Sequence, residues 1–106
     1  MKYRIHYTPT AQKDMDAVWD GVLEASASYD VSDEYVGEFA DKIASKGDFP
    51  ESGIPLCYRG LFTGFYSINI KAYKAFYRIK DGYIEVVRVL PAKMEYMKLL
   101  FGESEL

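Results

Sequence analysis

The dipeptide Asp81-Gly82 constrains this chain more than any other pair of residues. It separates two runs, Tyr73–Lys80 and Tyr83–Leu90, that are rich in β-branched and aromatic side chains. Asp-Gly is favoured in two-residue hairpin turns, so the two runs are predicted to pair antiparallel. Tyr83–Leu90 is apolar on both rows, with Ile84, Val86 and Leu90 on one and Val87 and Val89 on the other. An interior strand covered on both sides reads this way, and Pro91 ends it. Phe65–Lys71 has the same character, giving three consecutive strands in the region from Tyr58 onward.

The first half follows a different period. Lys2–Tyr7 alternates, with Tyr3, Ile5 and Tyr7 on one face of a predicted strand. Thr8-Pro9 then supplies a helix N-cap and a proline for the first helical position. Ala11, Met15, Val18, Trp19 and Val22 recur at helical spacing, and this helix should fade around Ser26–Ser28. A second helix is predicted from Ser32 as cap, with Val36, Phe39, Ala40 and Ile43 as its stripe and Gly47 as its stop. Trp19 and Phe39 are expected in the core. Phe49–Pro55 is dense in breakers and reads as a structured loop. Met94–Phe101 is predicted as a short C-terminal helix closed by Gly102. The fold class is therefore α+β: an N-terminal strand, an antiparallel helical hairpin packed on a small, mainly antiparallel sheet, and a short C-terminal helix. One domain is expected over residues 1–106.

Composition narrows the function. At 49% hydrophobic and 27% charged, the chain has the make-up of a globular protein, which excludes disorder and low complexity. No apolar run approaches the roughly 20 residues that span a bilayer. The N-terminus lacks the apolar core of a signal peptide, so a cytoplasmic protein without membrane partners is expected. A single cysteine, Cys57, and a single histidine, His6, leave no internal disulfide and no cysteine-cluster zinc site, and no cofactor is expected. Residues 1–53 hold five Lys/Arg against eleven Asp/Glu, whereas residues 54–106 hold eight against five. The overall charge of −3 argues against tight, nonspecific nucleic-acid binding.

Four stretches, in order and in register, resemble the RelE/ParE toxins of bacterial type II toxin–antitoxin modules. They are YTPTAQKDMDAVWD (7–20), the loop FPESGIP (49–55), the paired strands AYKAFYRIKDGYIEVVRVL (72–90), and Tyr96 with LLFG (99–102). The resemblance implies a toxin neutralised by a cognate antitoxin protein. It also implies one of two activities: ribosome-dependent mRNA cleavage, or poisoning of DNA gyrase by protein contact, with Pro91–Gly102 as the natural contact segment. A non-toxic relative that only binds an antitoxin-like partner is the third reading.

A metal-independent RNase needs a base for the 2′-hydroxyl, an acid for the leaving oxygen and cations around the phosphorane charge. On the resemblance, Lys74 or Arg78 takes the place of the middle-strand cation, and Lys93 and Tyr96 take the positions after the final strand. Arg88 lies on the hairpin partner. Ser67 and Asn69 stand where the family has lysines, and Pro91-Ala92-Lys93-Met94 replaces its usual glycine and basic pair. Each residue also has an ordinary use. Arg78 and Arg88 can pair with acids on the helices, Lys71 and Lys74 can guard strand edges, and Tyr96 can pack. Glu51 is an outside candidate for a base. His6 reads as a surface or core-edge residue, and Cys57 carries no nucleophile signal. The row Tyr66, Ile68 and Ile70 is expected to accept a helix or strand from the antitoxin.

Overall fold

The computed structural model describes residues 2–95 together with Met97 and Leu100. The elements are β1 (Arg4–Tyr7), α1 (Pro9–Ser26), α2 (Tyr29–Ala44), β2 (Ile54–Tyr58), β3 (Leu61–Ile70), β4 (Tyr73–Lys80) and β5 (Tyr83–Pro91). Two short 3₁₀ turns, Ser45–Gly47 and Pro50–Ser52, link α2 to β2. The five strands form one sheet in the order β1-β5-β4-β3-β2. β1 joins β5 in parallel and every other pairing is antiparallel. The α+β expectation holds, with one strand more than predicted, which takes in Ile54 and Pro55 from the end of the expected loop. That strand, β2, contains Pro55, and proline is tolerated on a sheet edge because an edge residue need not donate to a ladder. Its turn to β3 uses Arg59 and Gly60, both at positive φ (52° and 79°). Asp81-Gly82 joins β4 to β5 as predicted, with Lys80 opposite Tyr83.

Thr8 caps α1: its hydroxyl accepts the Ala11 N–H at 3.1 Å, and Pro9 opens the first turn. Ala27 (φ 56°) ends α1 in the left-handed region, with its N–H donating to Leu23 O. Because the link between the helices is so short, α2 starts earlier than the predicted Ser32. Ser28 is the cap, and its hydroxyl accepts the Val31 N–H at 3.2 Å. Ser32 is instead fully buried one turn in, and its hydroxyl donates to Trp19 O, stitching the two helices together.

The helices cover one face of the sheet. Ala11, Met15, Val18, Phe39 and Ile43 meet Tyr66, Ile68, Ile70, Ala75, Tyr77, Ile84, Val86 and Val89 in one core. Each such large apolar side chain contributes about 1.5–3 kcal/mol when fully buried. Three expectations are corrected by this packing. The row Tyr66, Ile68 and Ile70 lies beneath the helices and is not a surface for a partner. Trp19 is only half-buried: its Nε1–H donates to Asp33 at 2.9 Å and its ring lies against Tyr29. Ala40, expected in the stripe, is exposed. The rows of β5 also change, because Phe76 faces Arg88 whereas Tyr77 faces Val86, leaving Val87 as an extra, bulged residue. Beyond that bulge Val89, not Leu90, continues the core row of Ile84 and Val86. The C-terminal helix expected over Met94–Phe101 falls largely outside the described residues.

Candidate functional site

β4 places Lys74, Phe76 and Arg78 on the face opposite the helical core, since Ala75 and Tyr77 alternate with them inside it. Each meets a cross-strand neighbour. Lys74 stands opposite Asn69, and its Nζ donates to Asn69 Oδ1 at 2.8 Å. Phe76 is fully buried, opposite Ser67. Arg78 stands between Phe65 and Glu85. Its Nε donates to Glu85 Oε1 at 2.7 Å, and its guanidinium carbon lies 5.7 Å from the Phe65 ring centroid.

Arg88 takes a different course. At the Val87 bulge it reaches α1, where Nε and Nη2 grip both oxygens of Asp14 at 2.8 and 3.1 Å. The Val89 N–H donates to the same carboxylate at 2.9 Å. The Arg88 and Asp14 side chains keep only 22% and 15% of their surface exposed. The hydrogen bond that Arg88 donates to Asp14 holds the guanidinium above its usual pKa, against the opposing effect of burial. Thr8 Oγ1 donates to Val87 O at 3.2 Å and steadies the bulge from the start of α1.

The sequence-derived set is therefore spread out. Lys93 is exposed just past β5, and Pro91 pairs with Tyr73, so Lys93 follows the same end of the sheet that carries Lys74. Arg78 is four residues further along β4 from Lys74, about 13 Å at strand rise. Arg88 is drawn to the helical layer, and Tyr96 lies outside the described residues. His6 is exposed and stacks on Tyr83 at 4.5 Å. Among the described residues no group of three or more His, Cys, Asp or Glu side chains could hold a metal ion. None of the described helices is long and apolar enough to cross a membrane.

Two arrangements escaped sequence reasoning. Asp14 is off the apolar stripe of its helix and 74 residues from Arg88, so no local pattern announced the pair. The other is the tether of the Phe49–Pro55 loop. The Tyr77 hydroxyl donates to Pro50 O at 2.5 Å and accepts the Gly53 N–H at 3.1 Å. Burial pushes the Tyr77 hydroxyl up to a pKa of about 12. A Cβ at Gly53 would clash with that hydroxyl, so close approach is what this glycine permits.

Comparison with known proteins agrees with this architecture. The family model described as ParE toxin of type II toxin-antitoxin system, parDE, matches residues 5–96. Among solved structures, the chromosomal ParDE system of P. aeruginosa is similar at a TM-score of 0.70 and 15% identity, over 85% of this chain and 96% of that one. The toxin–antitoxin complex RelBE2 of Mycobacterium tuberculosis is similar at 0.58 and 26% identity, over 86% and 99%. A YoeB/ParE toxin of Agrobacterium tumefaciens is similar at 0.55 and 18%, over 83% and 96%. No match was found among curated proteins.

Proposed function

Since the chain belongs to the ParE toxin family of type II toxin–antitoxin systems, we propose that it arrests growth by protein contact with DNA gyrase and cleaves no RNA. The observation that carries this reading is the state of the two strand arginines. Arg88 is held in a bidentate pair with Asp14, and Arg78 is paired with Glu85. Phosphoryl transfer on RNA needs cations aimed at the developing phosphorane charge. A guanidinium whose charge is already balanced by a carboxylate lends less to that task. Lys74 donates to Asn69 at the edge of this face, and the family's neighbouring lysines are replaced by Ser67 and Asn69. In this reading Arg88 is structural, and the contact with gyrase is made by the segment that starts at Pro91 and includes Lys93 and Tyr96.

A cognate antitoxin is the second partner proposed, in keeping with the toxin–antitoxin complex among the structural relatives. Its docking surface lies outside the row of Tyr66, Ile68 and Ile70, which the protein's own helices occupy.

The test is to induce the protein in growing bacteria and map mRNA 5′ ends within minutes. Growth arrest with unchanged 5′ ends supports the reading. New ends at ribosome-occupied codons, abolished by Arg78→Ala, would overturn it and make Lys74, Arg78, Lys93 and Tyr96 the catalytic set. No arrest at all would leave a relative that only binds its partner.

A further inference from the structure

The loop tethered by Tyr77 frames a cavity of about 510 Å³ that the growth-arrest reading does not use. Its apolar lining comes from Tyr3 before β1, Phe49 and Pro50 in the loop, and Ile79 near the end of β4. Its charged lining is Asp48 and Glu51, with no cation among the lining residues. We propose that this cavity receives a lysine or arginine side chain, flanked by apolar residues, from a partner protein.

Three observations support this. The walls are already in place: Tyr77 holds Pro50 and Gly53, the Ser52 N–H donates to Phe49 O at 2.9 Å, and the Tyr3 N–H donates to Gly47 O at 2.8 Å. A preformed wall spares the ordering entropy that weakens binding by flexible loops, and the volume falls in the range of ordinary ligand sites. Phe49 is 74% exposed on this rigid loop, so its ring adds little to the core but offers an aromatic face to an incoming chain. Finally, neither Asp48 nor Glu51 has an ion-pair partner among the described residues. Two unpaired carboxylates beside an apolar pocket complement an occupant that is cationic at its tip and apolar along its stem, which describes lysine and arginine. The aromatic ring adds a cation–π surface for the same group.

The experiment is a titration of the ¹⁵N-labelled full chain with the peptide N-acetyl-Leu-Arg-Leu-amide, followed by NMR. The same peptide with citrulline or glutamate in place of arginine provides the neutral and anionic controls. Amide shifts are expected at Tyr3, Phe49, Glu51, Ser52 and Ile79. The citrulline peptide should bind about twofold to fivefold more weakly, the range of exposed charge pairs, and the glutamate peptide more weakly still. Asp48→Asn with Glu51→Gln should erase the preference for arginine, and Phe49→Ala should weaken all binding by about tenfold. All these positions are exposed, so the variants keep the fold, which the remaining resonances report directly. Shifts that map elsewhere, an absence of shifts, or equal binding of the three peptides would overturn the proposal. None of those results bears on gyrase, because growth arrest is read separately.

Discussion

Replacing Asp14 by asparagine removes the charge that Arg88 is built against while leaving an oxygen in the same place. The carboxylate accepts three hydrogen bonds, from Arg88 Nε, Arg88 Nη2 and the Val89 N–H. A hydrogen bond to a charged group contributes about 1.5–3 kcal/mol, and breaking one side of a fully buried pair costs about 3–5 kcal/mol. Here both side chains retain some water contact, at 22% and 15% exposure. The expected loss for Asp14→Asn is therefore about 2–3 kcal/mol. Arg88→Met, which keeps the apolar stem, should lose a similar amount because it strands the carboxylate. The double variant should lose clearly less than the sum of the two, with a coupling of about 1.5 kcal/mol or more. Urea denaturation followed by far-UV circular dichroism measures all three, and the single variants should melt roughly 8–20 °C lower. Additive losses, or single losses below about 0.5 kcal/mol, would refute the view that this pair ties α1 to β5. A stable Arg88→Met protein that had lost its toxicity would refute the structural role of Arg88 from the other side.

Other perturbations follow from the same packing. Tyr77→Phe deletes the hydroxyl that serves both Pro50 O and the Gly53 N–H, and urea melts should show a loss of about 2 kcal/mol. The raised pKa of Tyr77 also sets an alkaline limit. Below about pH 10 the hydroxyl keeps its proton in both folded and unfolded chains, and its contribution is whole. As pH rises toward the folded value of about 12, the unfolded chain ionises first and stability falls. Tyr77 contributes a slope of up to about 1.4 kcal/mol per pH unit, and Tyr77→Phe should flatten the alkaline fall in melts at stepped pH, leaving the part due to Tyr7, whose hydroxyl pKa burial also raises. Gly53→Ala places a methyl against the Tyr77 hydroxyl and should destabilise by about 1–3 kcal/mol in the same assay. Ser28→Ala removes the cap of α2 and should cost about 1 kcal/mol, with the loss of helical signal beginning at that end.

Features set by neighbouring residues were legible in the sequence. Thr8-Pro9 starts a helix and Asp81-Gly82 turns a hairpin because cap and turn chemistry act over two to four residues. The apolar periods likewise gave the helical hairpin and the antiparallel strands. What escaped depends on distant parts of the chain. The alternation in β3 groups Tyr66, Ile68 and Ile70, but which face the helices cover is decided by packing. The Val87 bulge exists only relative to β4, so the period of β5 alone misassigned Val89 and Leu90. β2 was hidden by Pro55 and by a turn whose first residue, Arg59, seldom adopts positive φ. Ser28 and Ser32 are equivalent as local cap signals, and only contact with Trp19 O separates them. In the candidate site, the strand positions of Lys74, Arg78 and Arg88 were legible. A helix acid was legible as the kind of partner Arg88 would take, though not that it is Asp14. Arg78 pairs with Glu85 on the neighbouring strand instead of a helix acid, and Asn69 was not foreseen beside Lys74.

The most direct test of the central claim is a supercoiling assay with the purified protein, DNA gyrase and relaxed plasmid. Loss of supercoiling that depends on toxin concentration and is relieved by the cognate antitoxin is the predicted result. Full supercoiling at every toxin concentration, alongside cleavage of ribosome-bound mRNA by the same preparation, would contradict it.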